Sequence, residues 1–134
     1  MISKITKKRP KAKVVSIMGS TWHIEWRTKE EDVKLIKCDG YCDKTIKTIV
    51  LAWLDWDGMN YNSMATYMST VLRHEMVHAM LFESGLGSET TNNWARNEEM
   101  VDWIALQLPR LAITILPIAD EVCKDLESDL TLIK

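Results

Sequence analysis

Apolar and polar positions alternate most cleanly at Trp22-His23-Ile24-Glu25-Trp26-Arg27, where Trp22, Ile24 and Trp26 share one face and His23, Glu25 and Arg27 the other. A two-residue period of this kind predicts a half-buried β-strand. Before it, Val14-Val15-Ser16-Ile17-Met18 is a short β-branched run, and Gly19-Ser20 supplies the turn that pairs the two segments. Thr28 to Lys37 is charged and irregular, and Cys38 to Asp43 reads as a turn centred on Gly40. Thr45 to Trp53, β-rich and increasingly apolar, is predicted as a third strand.

The period then changes. Asp55 to Asn62 is a loop rich in Asp, Gly and Asn, with Asn62 or Ser63 as the N-cap of a long helix. From Ser63 to Ser84 there is no proline or glycine, and Gly85 stands where a helix ends in a left-handed residue. At 1.5 Å per residue that helix is about 33 Å long, and its apolar residues occupy more than one face, as in a buried helix.

After a loop from Gly85 to Asn93, with Asn92 or Asn93 as helix start, Trp94 to Leu108 has the spacing of an amphipathic helix that Pro109 ends or re-aims. Arg110 to Leu116 is ambiguous between helix and extended chain. Pro117 opens a last helix with Ile118, Val122, Leu126 and Leu130 recurring every four residues. The expectation is an α+β fold: a small twisted, mainly antiparallel sheet of about three strands on two helices, plus a C-terminal helix.

With 134 residues, 46% hydrophobic and 27% charged, the chain is expected to form one domain over 14–134 behind a basic flexible tail at 1–13. That tail holds the one basic concentration, Lys4 to Lys13. The net charge of −2 gives no reason to expect nucleic-acid binding. No apolar segment follows the basic residues as in a secretory signal, and no run approaches the ~20 apolar residues of a membrane span. A cytoplasmic protein without membrane attachment is expected. Cys38, Cys42 and Cys123 are then free thiols, and the first two read as turn cysteines.

The chemistry concentrates at Leu72-Arg73-His74-Glu75-Met76-Val77-His78-Ala79. Residues four apart on a helix lie on one face, so His74 and His78 can aim both imidazoles at one metal ion. A catalytic zinc ion takes three protein ligands, and the next predicted helix offers Glu98 and Asp102, again four apart. Glu98 can complete the ligand set, with Glu99 as its rival. Asp102 can reach the outer nitrogen of a ligating histidine and fix its tautomer. Glu75 is turned about 100° from His74, too far to ligate but placed to act as a general base toward the water that zinc activates.

At these residues a resemblance becomes specific. HEMVH, followed by Asn97-Glu98-x-x-x-Asp102, resembles the gluzincin metallopeptidases of the thermolysin type. The stretches RHEMVHAMLFESGL and NEEMVDWIALQLP look more like the small ImmA/IrrE-related and phage-encoded metallopeptidases, in which a compact sheet precedes two zinc helices. The resemblance covers roughly residues 14 to 110. It implies a minimal zincin-like domain with His74, His78 and Glu98 as zinc ligands and Glu75 as general base. It also implies Asp102, with Asn97 of the same motif, behind the ligands.

In one respect the chain departs from the thermolysin pattern: no histidine or tyrosine follows His78 to stabilise the tetrahedral oxyanion. Arg110, Arg73, Tyr61, Tyr67 and His23 are the candidates for that role. The function expected is a zinc-dependent endopeptidase of narrow specificity acting on an intracellular regulatory protein. The alternative is a zinc-containing binding or toxin module with little or no peptidase activity.

Overall fold

Two consecutive left-handed residues, Met18 (φ 48°) and Gly19 (φ 86°), turn the chain between β1 (Lys13–Ile17) and β2 (Ser20–Arg27). The strands pair antiparallel from Ile17↔Ser20 to Lys13↔Ile24. The turn thus lies one residue earlier than Gly19-Ser20, because positive φ at both central positions matches the twist of a two-residue hairpin. The computed structural model describes residues 8–54, 61–86 and 93–131, with the backbone alone at 61–63 and 128–131. Residues 1–7 of the basic tail lie outside the described residues. Within the rest of it, both guanidinium nitrogens of Arg9 donate to Glu31, and Lys13 already belongs to β1.

The sheet has four strands, not about three, in the order β1-β2-β4-β3. The segment read as a turn around Gly40 is β3 (Gly40–Asp43), an edge strand antiparallel to β4 (Thr48–Ala52). β4 lies parallel to β2, with His23 opposite Thr48 and Arg27 opposite Ala52, so the sheet is mixed. The reason is burial: all five residues of β4 are buried, and a strand apolar on both faces belongs in the interior of a sheet.

One face of the sheet packs on α1 (Tyr61–Glu83), where Trp22, Ile24, Ile49 and Leu51 meet Ala79, Leu72 and Met76. The opposite face of β4, carrying Val50 and Ala52, is covered by Leu35 from a 3-10 turn at Val33–Ile36. The charged stretch before β3 therefore closes the second core layer. Asp32, buried, caps that turn through Lys34 N (3.1 Å) and accepts from Tyr41 Oη (2.5 Å) and Arg27 Nη1 (3.0 Å), tying β2, β3 and the turn together.

α1 begins at Tyr61, so Asn62 and Ser63 are already helical, and residues 55–60 of the preceding loop lie outside the described residues. It ends as expected, with Gly85 left-handed at φ 84° and its N–H on the Phe82 carbonyl (3.0 Å). Residues 87–92, including the helix-start candidate Asn92, are likewise outside the described residues, and Asn93 opens a 3-10 turn, Asn93–Arg96.

The two predicted C-terminal helices are one, α2 (Glu98–Thr131), with Pro109 and Pro117 inside it. Both prolines are exposed, so the carbonyls they deprive of partners can be met by water. Among the described side chains, the start of α2 is the packed part, with Val101, Ala105 and Ile104 against Val77 and Leu81 of α1. Beyond it Ile113, Leu116 and Ile118 are exposed. Once the helix runs unbroken through both prolines, Glu98–Glu127 is long and apolar enough to cross a membrane by length and composition, which the chain split at Pro109 was not.

Candidate metal centre

Asn97 fixes where α2 starts. Its side-chain oxygen accepts from Met100 N (3.0 Å) and its carbonyl from Val101 N (3.0 Å), satisfying N–H groups that a helix start leaves unpaired. Asn97, expected behind the ligands, is in the structure the cap that presents Glu98. Glu98 and Asp102 then stand one turn apart on the first two turns of α2, facing the middle of α1.

There His74, His78 and Glu98 converge. Glu98 Oε2 lies 2.8 Å from His74 Nε2, Glu98 Oε1 lies 3.3 Å from His78 Nε2, and the two Nε2 atoms are 3.1 Å apart. Among the described residues these three form the one group of His, Cys, Asp or Glu side chains close enough to hold a metal ion. Donors at the corners of a tetrahedral zinc site, each ~2.0–2.1 Å from the ion, are about 3.3 Å apart, so the spacing fits. The donor chemistry fits too: burial pulls the His78 pKa below its ordinary value, keeping the ring neutral as a ligand must be.

Asp102 places Oδ1 2.5 Å from His74 Nδ1. Its carboxylate holds the outer nitrogen protonated and frees Nε2 as the donor. Glu99, the rival ligand, is outside the cluster and lines a separate surface cavity with Trp94, Met100 and Trp103.

Glu75 is buried, with Oε1 4.0 Å from His74 Nε2, beside the ligand group and not in it. Burial pushes its pKa up to about 7, the imidazole of His74 working against the rise and the Glu98 carboxylate adding to it. A carboxyl poised near neutrality can both take and return a proton.

β3 forms the opposite wall. Gly40, Tyr41, Cys42 and Lys44 line one cavity of about 430 Å³ with His74, Glu75, His78 and Glu98. Gly40 lets the strand approach: a Cβ there would stand 2.8 Å from Val71 Cγ1 of α1. Tyr41 donates its hydroxyl to Asp32, and burial pushes its pKa up to about 12. Cys42 is a strand residue in the wall, where burial pushes its thiol up to about 12, with Glu75 adding to the rise. Cys38 also lines the cavity, so neither residue is merely a turn cysteine, although both are free thiols.

None of the described oxyanion candidates reaches this cavity. His23 is exposed on β2, Arg110 is exposed on α2, Arg73 donates to Thr70 (3.3 Å), and Tyr67 donates to Asp39. The side chain of Tyr61 lies outside the described residues. The cation the structure does place there is Lys44, which the sequence hid because a lysine in a polar turn reads as solvated. Comparison of the chain with protein families, curated proteins and solved structures finds no match.

Proposed function

We propose that this chain is a zinc-dependent endopeptidase of the gluzincin type on a minimal zincin-like fold. The observation that carries the reading is the joining, from two separate helices, of a His74/His78/Glu98 donor set with Asp102 on the outer nitrogen of His74 and a buried Glu75 beside it. Resemblance of HEMVH and NExxxD to the small ImmA/IrrE-related metallopeptidases supports it. Zinc held by the three donors would supply a Lewis acid and a water acidic enough to lose its proton near pH 7.

The remaining steps belong to the chain. Glu75, buried beside the donor set, accepts the proton of the attacking water at its carboxylate and delivers it to the departing amine nitrogen. Asp102 keeps His74 in the tautomer whose Nε2 faces the site. β3 is an edge strand in the cavity wall, so an extended peptide can add to its outer side and be carried past Glu75.

Metal analysis of the purified protein tests the first half: wild type should hold one zinc ion per chain, lost in His78→Ala. Glu75→Gln should retain zinc and cut the cleavage of a library-selected peptide by about 10²–10⁴-fold. Unchanged cleavage by Glu75→Gln, or a wild type that binds no metal, would overturn the reading.

A further inference from the structure

We propose that Lys44 makes the cavity beside the metal donors a carboxylate-binding subsite, so that the preferred substrate carries an acidic group within a residue or two of the cleaved bond. The inference rests on the endopeptidase reading and names its substrate class.

The first observation is where the ammonium sits. Lys44 opens the turn from β3 to β4, and that turn is fastened on both sides. Asp43 Oδ1 accepts from Thr45 N (3.0 Å) and Thr45 Oγ1 (2.5 Å), while Lys47, left-handed at φ 50°, binds Glu83 (3.0 Å) and Ser20 Oγ (3.1 Å). Between these anchors the half-buried Lys44 reaches over the Phe82 ring, 5.8 Å from its centroid, and lines the cavity.

Beyond the Phe82 ring, Lys44 has no ion-pair partner among the described residues. Arg9, Arg27 and Lys47 each have a carboxylate within 3.0 Å, but among the described residues none lies within ion-pair distance of Lys44. Asp43, its neighbour in sequence, is engaged by Thr45. Cys42 offers no thiolate, since its pKa is pushed up to about 12. A half-buried ammonium with no ion-pair partner among the described residues favours an anion that arrives from outside.

Reach decides which anion. Lys44 follows β3, the wall that faces the two donor helices, so it lines the cavity from the side opposite the donor group. It is therefore poorly placed for an oxyanion forming at the metal and better placed for a carboxylate about one residue away, since extended chain advances ~3.3 Å per residue.

Two measurements test this. Peptides differing only by Glu or Gln at each position around the cleaved bond, with free or amidated C-termini, should show kcat/KM about fivefold or more in favour of the acid. The amidated pair separates a side-chain carboxylate from a terminal one. In Lys44→Gln the ratio should fall to about one, and in Lys44→Glu it should invert toward a Lys peptide. Equal rates for Glu and Gln peptides in wild type, or a preference that survives Lys44→Gln, would overturn the proposal.

The second measurement needs no turnover: calorimetric binding of succinic monohydroxamate and of its amide to the zinc-loaded protein. A preference for the acid that vanishes in Lys44→Gln supports the subsite, and equal affinities in wild type overturn it. A protein that cleaves nothing yet discriminates the two hydroxamates loses the endopeptidase reading and keeps the subsite.

Discussion

Asp102 grips the far side of His74: its Oδ1 is 2.5 Å from Nδ1 while the same ring turns Nε2 to Glu98 at 2.8 Å. One turn of α2 thus supplies both a candidate ligand and the group that orients another. Because the Asp102 side chain is 61% exposed, little of the fold depends on it. Asp102→Ala is therefore expected to leave the melting temperature of the metal-free protein nearly unchanged and to weaken zinc binding about 10–100-fold. Competition against a chromophoric chelator measures this. An affinity equal to wild type would mean that His74 needs no orienting partner.

Gly40 makes the second prediction. A methyl group there would meet Val71 Cγ1 at 2.8 Å, Leu51 Cδ2 at 3.2 Å and the Val50 carbonyl oxygen at 3.3 Å, so either β3 or α1 must shift. Overpacking of this kind costs about 1–3 kcal/mol. Gly40→Ala should lower stability by that amount in denaturant titration. It should also reduce cleavage beyond what the stability loss explains, because β3 is the wall facing Glu75. A variant as stable as wild type would show that the contact relaxes freely.

The parts that were legible in the sequence are those set by local rules. The alternation at Trp22, Ile24 and Trp26 placed β2, the run without glycine or proline placed α1, and four-residue spacings paired His74 with His78 and Glu98 with Asp102. What stayed hidden depends on partners distant in sequence. Gly40-Tyr41-Cys42-Asp43 has the composition of a turn and becomes a strand because β4 and α1 lie against it. The parallel β2–β4 pairing follows from burial of both β4 faces, which no single segment announces. Pro109 and Pro117 looked like boundaries, yet both sit exposed within one helix, where water can meet the carbonyls that their missing N–H groups leave open.

The third prediction concerns acid. Glu83, in the last turn of α1, takes Lys47 (3.0 Å), Trp22 Nε1 (2.8 Å) and Ser20 Oγ (2.9 Å) on its two oxygens, tying the helix to β2 and to the β3–β4 turn. These partners, Lys47 foremost, lower its pKa below the ordinary 4.5. A carboxylate whose folded pKa is depressed binds fewer protons folded than unfolded. Its contribution is therefore complete above 4.5 and lost as pH falls through the folded value. Glu83→Gln should lower the melting temperature by a few degrees at neutral pH. The gap to wild type should narrow as the pH is taken below 4.5 and close once Glu83 is protonated in both states. Because Lys47 is 41% exposed, added salt should shrink the gap at neutral pH as well. Thermal melts with excess chelator, which removes any contribution from bound metal, measure these effects. A gap constant from neutral to strongly acid pH would mean that the Glu83 charge contributes nothing and that its hydrogen bonds, which glutamine can retain in part, hold the corner alone.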